Sequence, residues 1–150
     1  MWSDVVQQGE RLYFLRVFFW GASSAVVGTG LLVFALARAR GSAIIRRFAW
    51  ICVIFGGAEL IVSVIGYRGV RLRDLSGATR LDRLAWLEVG LYLGLSAVGV
   101  TTSLVASSVR SRSGASDDVR LPLVGAGIAI ALHGLALATL ELLLVARISR

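Results

Sequence analysis

Four ionisable side chains lie inside stretches of this sequence that are otherwise apolar. Glu59, Glu88 and Glu141 each stand several residues within such a stretch, and His133 stands near the middle of the last one. If these stretches cross a membrane, each ionised group costs at least ~2.5 to 3.5 kcal/mol to insert, so it normally faces a polar partner. A buried carboxyl can exchange a proton or a cation, or it can hold helices in register through a hydrogen bond.

The three acids fall in the same half of the membrane when each is counted from the end of its own stretch. Glu59 lies roughly 12 Å deep at 1.5 Å per residue, and the other two acids are nearer the same side. We expect Glu59 to face the interior of a helix bundle, with Arg16 or the stripe of Glu88 and Tyr92 as its partner. The candidate intramembrane polar cluster is Arg16, Glu59, Glu88, Tyr92, His133 and Glu141.

Small and polar residues share one face of each of two expected helices, and such stripes allow helices to pack closely. In the second helix the stripe is Cys52, Gly56, Glu59, Ser63 and Gly66, and in the third it is Glu88, Tyr92, Ser96 and Gly99. The third helix also has a Gly-x-x-x-Gly pattern. We therefore expect helix packing at Gly56, Gly90, Gly94 and Gly134.

The pattern around His133 does not favour a metal or haem site. A protein metal site needs three or four ligands within reach, and Glu141 lies eight residues further on, about 12 Å along a helix axis. We expect an interhelical hydrogen bond from His133, no metal and no cofactor. A Ser-His-Asp arrangement is also not indicated, because the Asp residues lie in the links or near the termini.

Four long apolar stretches carry these residues. The chain is 57% hydrophobic with a mean hydropathy of +0.79, and a helix of about 20 residues crosses the hydrocarbon core. The spans are predicted over 17–37, 48–67, 84–106 and 121–146. The expected fold is an all-α integral membrane four-helix bundle that forms a single transmembrane domain over residues 1–150. We expect the first span to be kept as a signal anchor. We also expect Pro122 to lie in the first turn of the last helix.

All sixteen basic residues are Arg, and the formal net charge is +7. The arginines stand mostly at the ends of the spans, where they contact lipid headgroups, so we predict no nucleic-acid partner. The side that holds both termini has nine of them and the other side has seven. This difference favours cytoplasmic termini, and the exclusive use of Arg suggests a GC-rich bacterial genome, hence the bacterial cytoplasmic (inner) membrane.

The segments "LEVGLYLGLSAVG" and "GAGIAIALHGLALATLELLL" resemble a family of small bacterial four-helix membrane proteins of unknown function. In that family the last helix reads Gly, then Gln-Gly, then an acid; the corresponding residues here are Gly125, His133, Gly134 and Glu141. The third-helix positions correspond to Leu87, Glu88, Gly90, Leu91 and Tyr92. His133 and Tyr92 depart from the family's Gln and Asp. The resemblance implies a four-helix membrane fold and no assigned activity.

Two functions are compatible with these patterns. The first is a non-enzymatic membrane protein that packs against itself or a larger membrane complex, which the small-residue stripes favour. The alternative is a small proton- or cation-coupled transporter or channel that uses Glu59. The first span contains no acid, unlike the four-helix multidrug exporters, in which the essential Glu lies in the first span, and this counts against the alternative.

Overall fold

The computed structural model describes residues 2–38, 42–108 and 117–148, and within these ranges all regular structure is helical. The helices are α1 (Trp2–Ala37), α2 (Ala43–Gly69), α3 (Leu75–Ser108) and α4 (Asp117–Ile148). Each is long and apolar enough to cross a membrane. The all-α prediction is therefore confirmed, as is the prediction of four helices with the length and composition of membrane spans.

The helices extend beyond the predicted spans, chiefly at their N-termini. Residues 75–83, which the sequence places in a link, form the first turns of α3, and Asp74 caps them by accepting a hydrogen bond from the Gly77 N–H at 2.8 Å. α4 begins at Asp117, so Pro122 lies inside the helix, and its expected first-turn position is wrong. Aspartates in the first turn of α4 favour this earlier start, because they complement the positive end of the helix dipole.

The four helices form two antiparallel hairpins, α1 with α2 and α3 with α4. α4 also packs against α2 and, less extensively, against α1, whereas the extensive contacts of α3 are with α4 alone. An apolar core joins the N-terminal part of α1 to the C-terminal part of α4 and to the start of α3. Its buried members are Val6, Tyr13, Val17, Ala78, Leu137, Leu144 and Ile148.

Glycine backbones form the seam within each hairpin. A Cβ added to Gly56 of α2 would lie 2.6 Å from the Gly21 carbonyl oxygen of α1. In the second hairpin, a Cβ at Gly134 would lie 2.6 Å from the Tyr92 carbonyl oxygen, and one at Gly99 would lie 2.6 Å from the Gly127 carbonyl oxygen. Side chains do not fit at these distances, so the helices approach backbone to backbone.

Gly90 and Gly94 lie outside these seams. An added Cβ at either residue would meet no atom within 4 Å. The buried face of α3 consists of Ala78, Ala85, Val89, Gly99 and Ala106, and the two glycines lie on its exposed side. The packing expected of Gly56 and Gly134 is thus found within the chain, whereas that expected of Gly90 and Gly94 is not.

Candidate functional site

The N-terminal part of α1 contributes an acid and a phenol to the space between the hairpins. Val6, Glu10, Tyr13 and Val17 recur at helical spacing, and all four are buried. Glu10 is 3% exposed and accepts two hydrogen bonds from Arg73, at 3.0 Å from Nε and 2.7 Å from Nη2. These bonds raise the pKa of the Arg73 guanidinium above its ordinary value. The charge of Glu10 is therefore neutralised by the link between α2 and α3.

A cavity of about 370 Å³ lies between this part of α1 and helices α2, α3 and α4. Glu10, Tyr13, Glu88, Tyr92 and Glu141 supply its polar lining. The other lining residues are apolar apart from one glycine: Phe14, Val62, Ile65, Gly66, Leu81, Leu84, Ala85 and Leu144. The volume falls within the range of small-molecule sites in proteins.

The polar groups of the cavity lie close to one another. The carboxyl groups of Glu88 and Glu141 interact, and the phenol of Tyr13 lies within reach of both Glu141 and Tyr92. Glu141 is 1% exposed, and its Oε2 has no hydrogen-bond partner. Two adjacent carboxyl groups in apolar surroundings repel each other when both are ionised. The site is therefore suited to a proton or a positively charged group.

Glu59 lies in the seam between α1 and α2 and does not line this cavity. It is 6% exposed, so it faces the protein interior as expected, but neither carboxyl oxygen has a hydrogen-bond partner. The Trp20 indole is close enough to interact electrostatically, although its Nε1 is also without a hydrogen bond. The expected polar partner of Glu59 is thus not found in the described residues.

Arg16, one of the two expected partners, lies elsewhere. It lines a groove between α1 and α4, together with apolar residues of both helices. Its guanidinium forms no ion pair with Glu59 among the described residues. The prediction that Arg16 pairs with Glu59 is therefore wrong. α1 directs Gly21, and not Arg16, toward the backbone of α2 next to Glu59.

His133 is fully buried and makes the interhelical hydrogen bond that the sequence predicts. Its Nδ1 is 2.9 Å from the Ala129 carbonyl oxygen, and its Nε2 is 2.7 Å from Ser24 Oγ. A carbonyl oxygen only accepts, so Nδ1 carries the proton and Nε2 of the neutral ring accepts a hydrogen bond from Ser24. The rings of Trp20 and Phe55 lie 5.8 and 5.1 Å away, centroid to centroid. These contacts connect α4 to α1 and, through Phe55, to α2.

The structure therefore divides the predicted polar cluster. It brings together Glu88, Tyr92 and Glu141, and it places Glu59, His133 and Arg16 in three other environments. Sequence reasoning missed Glu10, Tyr13 and Arg73. The spacing of Val6, Glu10, Tyr13 and Val17 could have identified the first two, since this stripe of helical period precedes and enters the first predicted span.

The described residues contain no group of three or more His, Cys, Asp or Glu side chains arranged to hold a metal ion. Comparison of the chain with protein-family models, with curated protein sequences and with solved structures finds no match.

Proposed function

We propose that this chain is a non-enzymatic multi-pass protein of the bacterial cytoplasmic membrane that acts by associating with another membrane helix through α3. The observation that supports this proposal is the exposed face of α3 that contains Gly90 and Gly94. Glycines at this spacing allow two helix backbones to approach closely in lipid. The glycines of the hairpin seams meet the backbone of a neighbouring helix of the same chain, whereas a Cβ at Gly90 or Gly94 would meet no atom within 4 Å.

The residues that continue this face are also exposed and include small side chains. Ala97 and Thr101 follow at helical spacing, and Leu87 and Leu91 beside the glycines are 58% and 62% exposed. A second copy of the chain has the same face, so a two-fold symmetric contact between the two α3 helices would cover the exposed glycines of both copies. The first occupant to test is therefore a second copy of this chain, and a larger membrane complex is the alternative.

The test is donor–acceptor energy transfer between labelled copies in liposomes at increasing lipid dilution. Replacing Gly90 and Gly94 together by Ile is expected to abolish transfer that depends on specific association. Gly57→Ile is the matched control, because Gly57 of α2 also has no atom within 4 Å of an added Cβ. Equal transfer in the two variants would exclude α3 self-association, and recovery of a partner from native membranes only with the wild-type glycines would indicate a larger complex.

A specific observation also favours the alternative function, proton- or cation-coupled transport through Glu59. A buried carboxyl with two unpartnered oxygens is costly, and such groups are retained at ion pathways. Proton flux in proteoliposomes that is present in the wild type and lost in Glu59→Gln would support this function. Equal flux in the two proteins would leave Glu59 as a structural residue.

A further inference from the structure

The cavity between the hairpins has properties that helix association does not explain. It is lined by three acids, two phenols and an apolar wall, and the walls come from all four helices. Since Glu10 is already paired with Arg73, Glu88 and Glu141 are the acids that remain for a ligand.

No basic side chain of the described residues forms an ion pair with Glu88 or Glu141. Glu141 is almost wholly buried, lines the cavity, and has one carboxyl oxygen without a hydrogen-bond partner. A buried acid that is neither paired nor fully hydrogen-bonded is unusual, because each unsatisfied polar atom carries a desolvation penalty. A cationic ligand would satisfy Glu141 and relieve its repulsion with Glu88.

The rest of the lining indicates what kind of cation would fit. Tyr13, Phe14 and Tyr92 provide aromatic rings, whose faces attract organic cations. The apolar wall suits a hydrophobic body better than a hydrated metal ion, and the described residues hold no metal-ligand cluster. The ligand class is therefore an organic cation with an apolar body.

The cavity is accessible from the side of the bundle. Val62 and Ile65 of α2 and Leu84 of α3 line it and are 60%, 66% and 46% exposed, respectively. α2 and α3 have no extensive contact with each other, so the cavity opens between them. In a membrane this opening faces lipid, where lipophilic cations partition.

We propose that this cavity binds a lipophilic organic cation, with the charge at Glu88 and Glu141 and the apolar body toward the opening between α2 and α3. This site is independent of the association face on α3, because Gly90 and Gly94 do not line it.

The test is equilibrium binding of tetraphenylphosphonium to the protein in nanodiscs, with protein-free nanodiscs as the blank. Saturable binding is expected in the wild type, and Glu88→Gln and Glu141→Gln are each expected to weaken it at least about tenfold, because each removes one of the two carboxyl groups that would hold the charge. Asp118→Asn is the acid control, because Asp118 lies in the first turn of α4 and does not line the cavity, and it should bind as the wild type does. Tetraphenylborate, which has the same four phenyl groups and the opposite charge, should not bind saturably.

A second variant pair tests the position of the ligand without altering an acid. Val62→Trp narrows the opening and is expected to reduce binding, whereas Ile61→Trp, at an equally exposed residue outside the lining, is expected to have no effect. Equal binding in these two variants, or equal binding in Glu88→Gln and Asp118→Asn, would overturn the proposal. Saturable binding of tetraphenylborate would also overturn it, by showing an apolar site without charge selectivity. If Glu141→Gln does not fold, the Glu88 and Val62 variants decide the result.

Discussion

The seams inside the two hairpins differ in construction from the space between the hairpins. Within each hairpin, glycines such as Gly56 and Gly99 bring helix backbones into direct contact. Between the hairpins, polar side chains make several of the connections, among them Ser24 with His133 and Glu10 with Arg73. At the glycine contacts no side chain fits between the two backbones, whereas the space between the hairpins contains the acidic cavity.

This difference follows from what drives helix association in lipid. Apolar side chains gain little by leaving lipid for a helix interface, so packing depends on small residues and on polar contacts. Small residues dominate the hairpin seams, although Ser96 and Ser103 of α3 also donate hydrogen bonds to carbonyl oxygens of α4. The inter-hairpin contacts use both means, since Gly125 of α4 also meets the backbone of Ile44 in α2.

The largest effect is expected at a seam glycine. In Gly99→Ala the new Cβ would overlap the Gly127 carbonyl oxygen and the backbone of Ala131, neither of which can move independently of its helix. We expect the free energy of unfolding to fall by ~3 kcal/mol, the upper end for overpacking in a close-packed core. Reversible unfolding in mixed micelles measures this loss.

Gly94→Ala is the control for that variant, because an added Cβ there meets open space. Alanine is a better helix former than glycine by up to ~1 kcal/mol, so this variant should be as stable as the wild type or more stable. A comparable loss of unfolding free energy in both variants would show that the close approach of α3 and α4 does not depend on glycine at position 99.

The next effect concerns a polar connection at the cavity. Arg73→Ala leaves the Glu10 carboxylate buried without its two hydrogen bonds. Breaking a fully buried pair costs ~3 to 5 kcal/mol, but the Arg73 side chain is 35% exposed, and solvent screening reduces the expected loss to ~2 kcal/mol. Arg71→Ala, at an exposed residue two positions earlier, should change stability little. Equal losses would show that Glu10 gains nothing specific from Arg73.

A smaller effect of opposite sign is expected at Glu59. Its carboxyl has no hydrogen-bond partner, and an unsatisfied buried polar group costs ~1 to 3 kcal/mol. Glu59→Met has similar length and removes that cost, so we expect a gain of ~1 kcal/mol after imperfect repacking. Arg16→Ala should be near neutral. A loss of stability in both variants would contradict this prediction and would indicate that Arg16 and Glu59 form an ion pair.

The sequence predicts the helices better than it predicts their contacts. Hydrophobic length identifies each of the four helices in the described residues, and the spacing from Cys52 to Ser63 identifies the buried face of α2. Which helices meet depends on packing between residues distant in sequence. Hence the shared cavity of Tyr13 and Glu141, and the outward direction of Gly90, could not be derived from local pattern. The Gly-x-x-x-Gly spacing is the same whether the glycines pack against a helix of the same chain or lie on an exposed face, so the spacing alone does not distinguish the two.

The smallest expected effect is at Asp74, which lies outside the helices and just before α3. Its carboxylate accepts hydrogen bonds from the Gly77 N–H and from the Ser76 hydroxyl, and these lower its pKa below the usual 3.8. The folded state therefore binds the Asp74 proton less readily than the unfolded state does. The resulting stabilisation is fully present above the unfolded pKa and is lost as the pH falls through the folded pKa.

Asp74→Ala should therefore lower the Tm slightly at neutral pH, because the first turn of α3 loses its cap. The difference from the wild type should stay constant from pH 7 to about pH 5 and shrink below about pH 4, where the unfolded carboxyl begins to take up its proton. Asp74→Asn keeps an oxygen acceptor but does not titrate, so its Tm should lie between the other two at neutral pH. Thermal unfolding of the three proteins in a non-ionic detergent across this range measures the effect. A difference between wild type and Asp74→Ala that is independent of pH would show that the ionised carboxylate does not contribute to the cap.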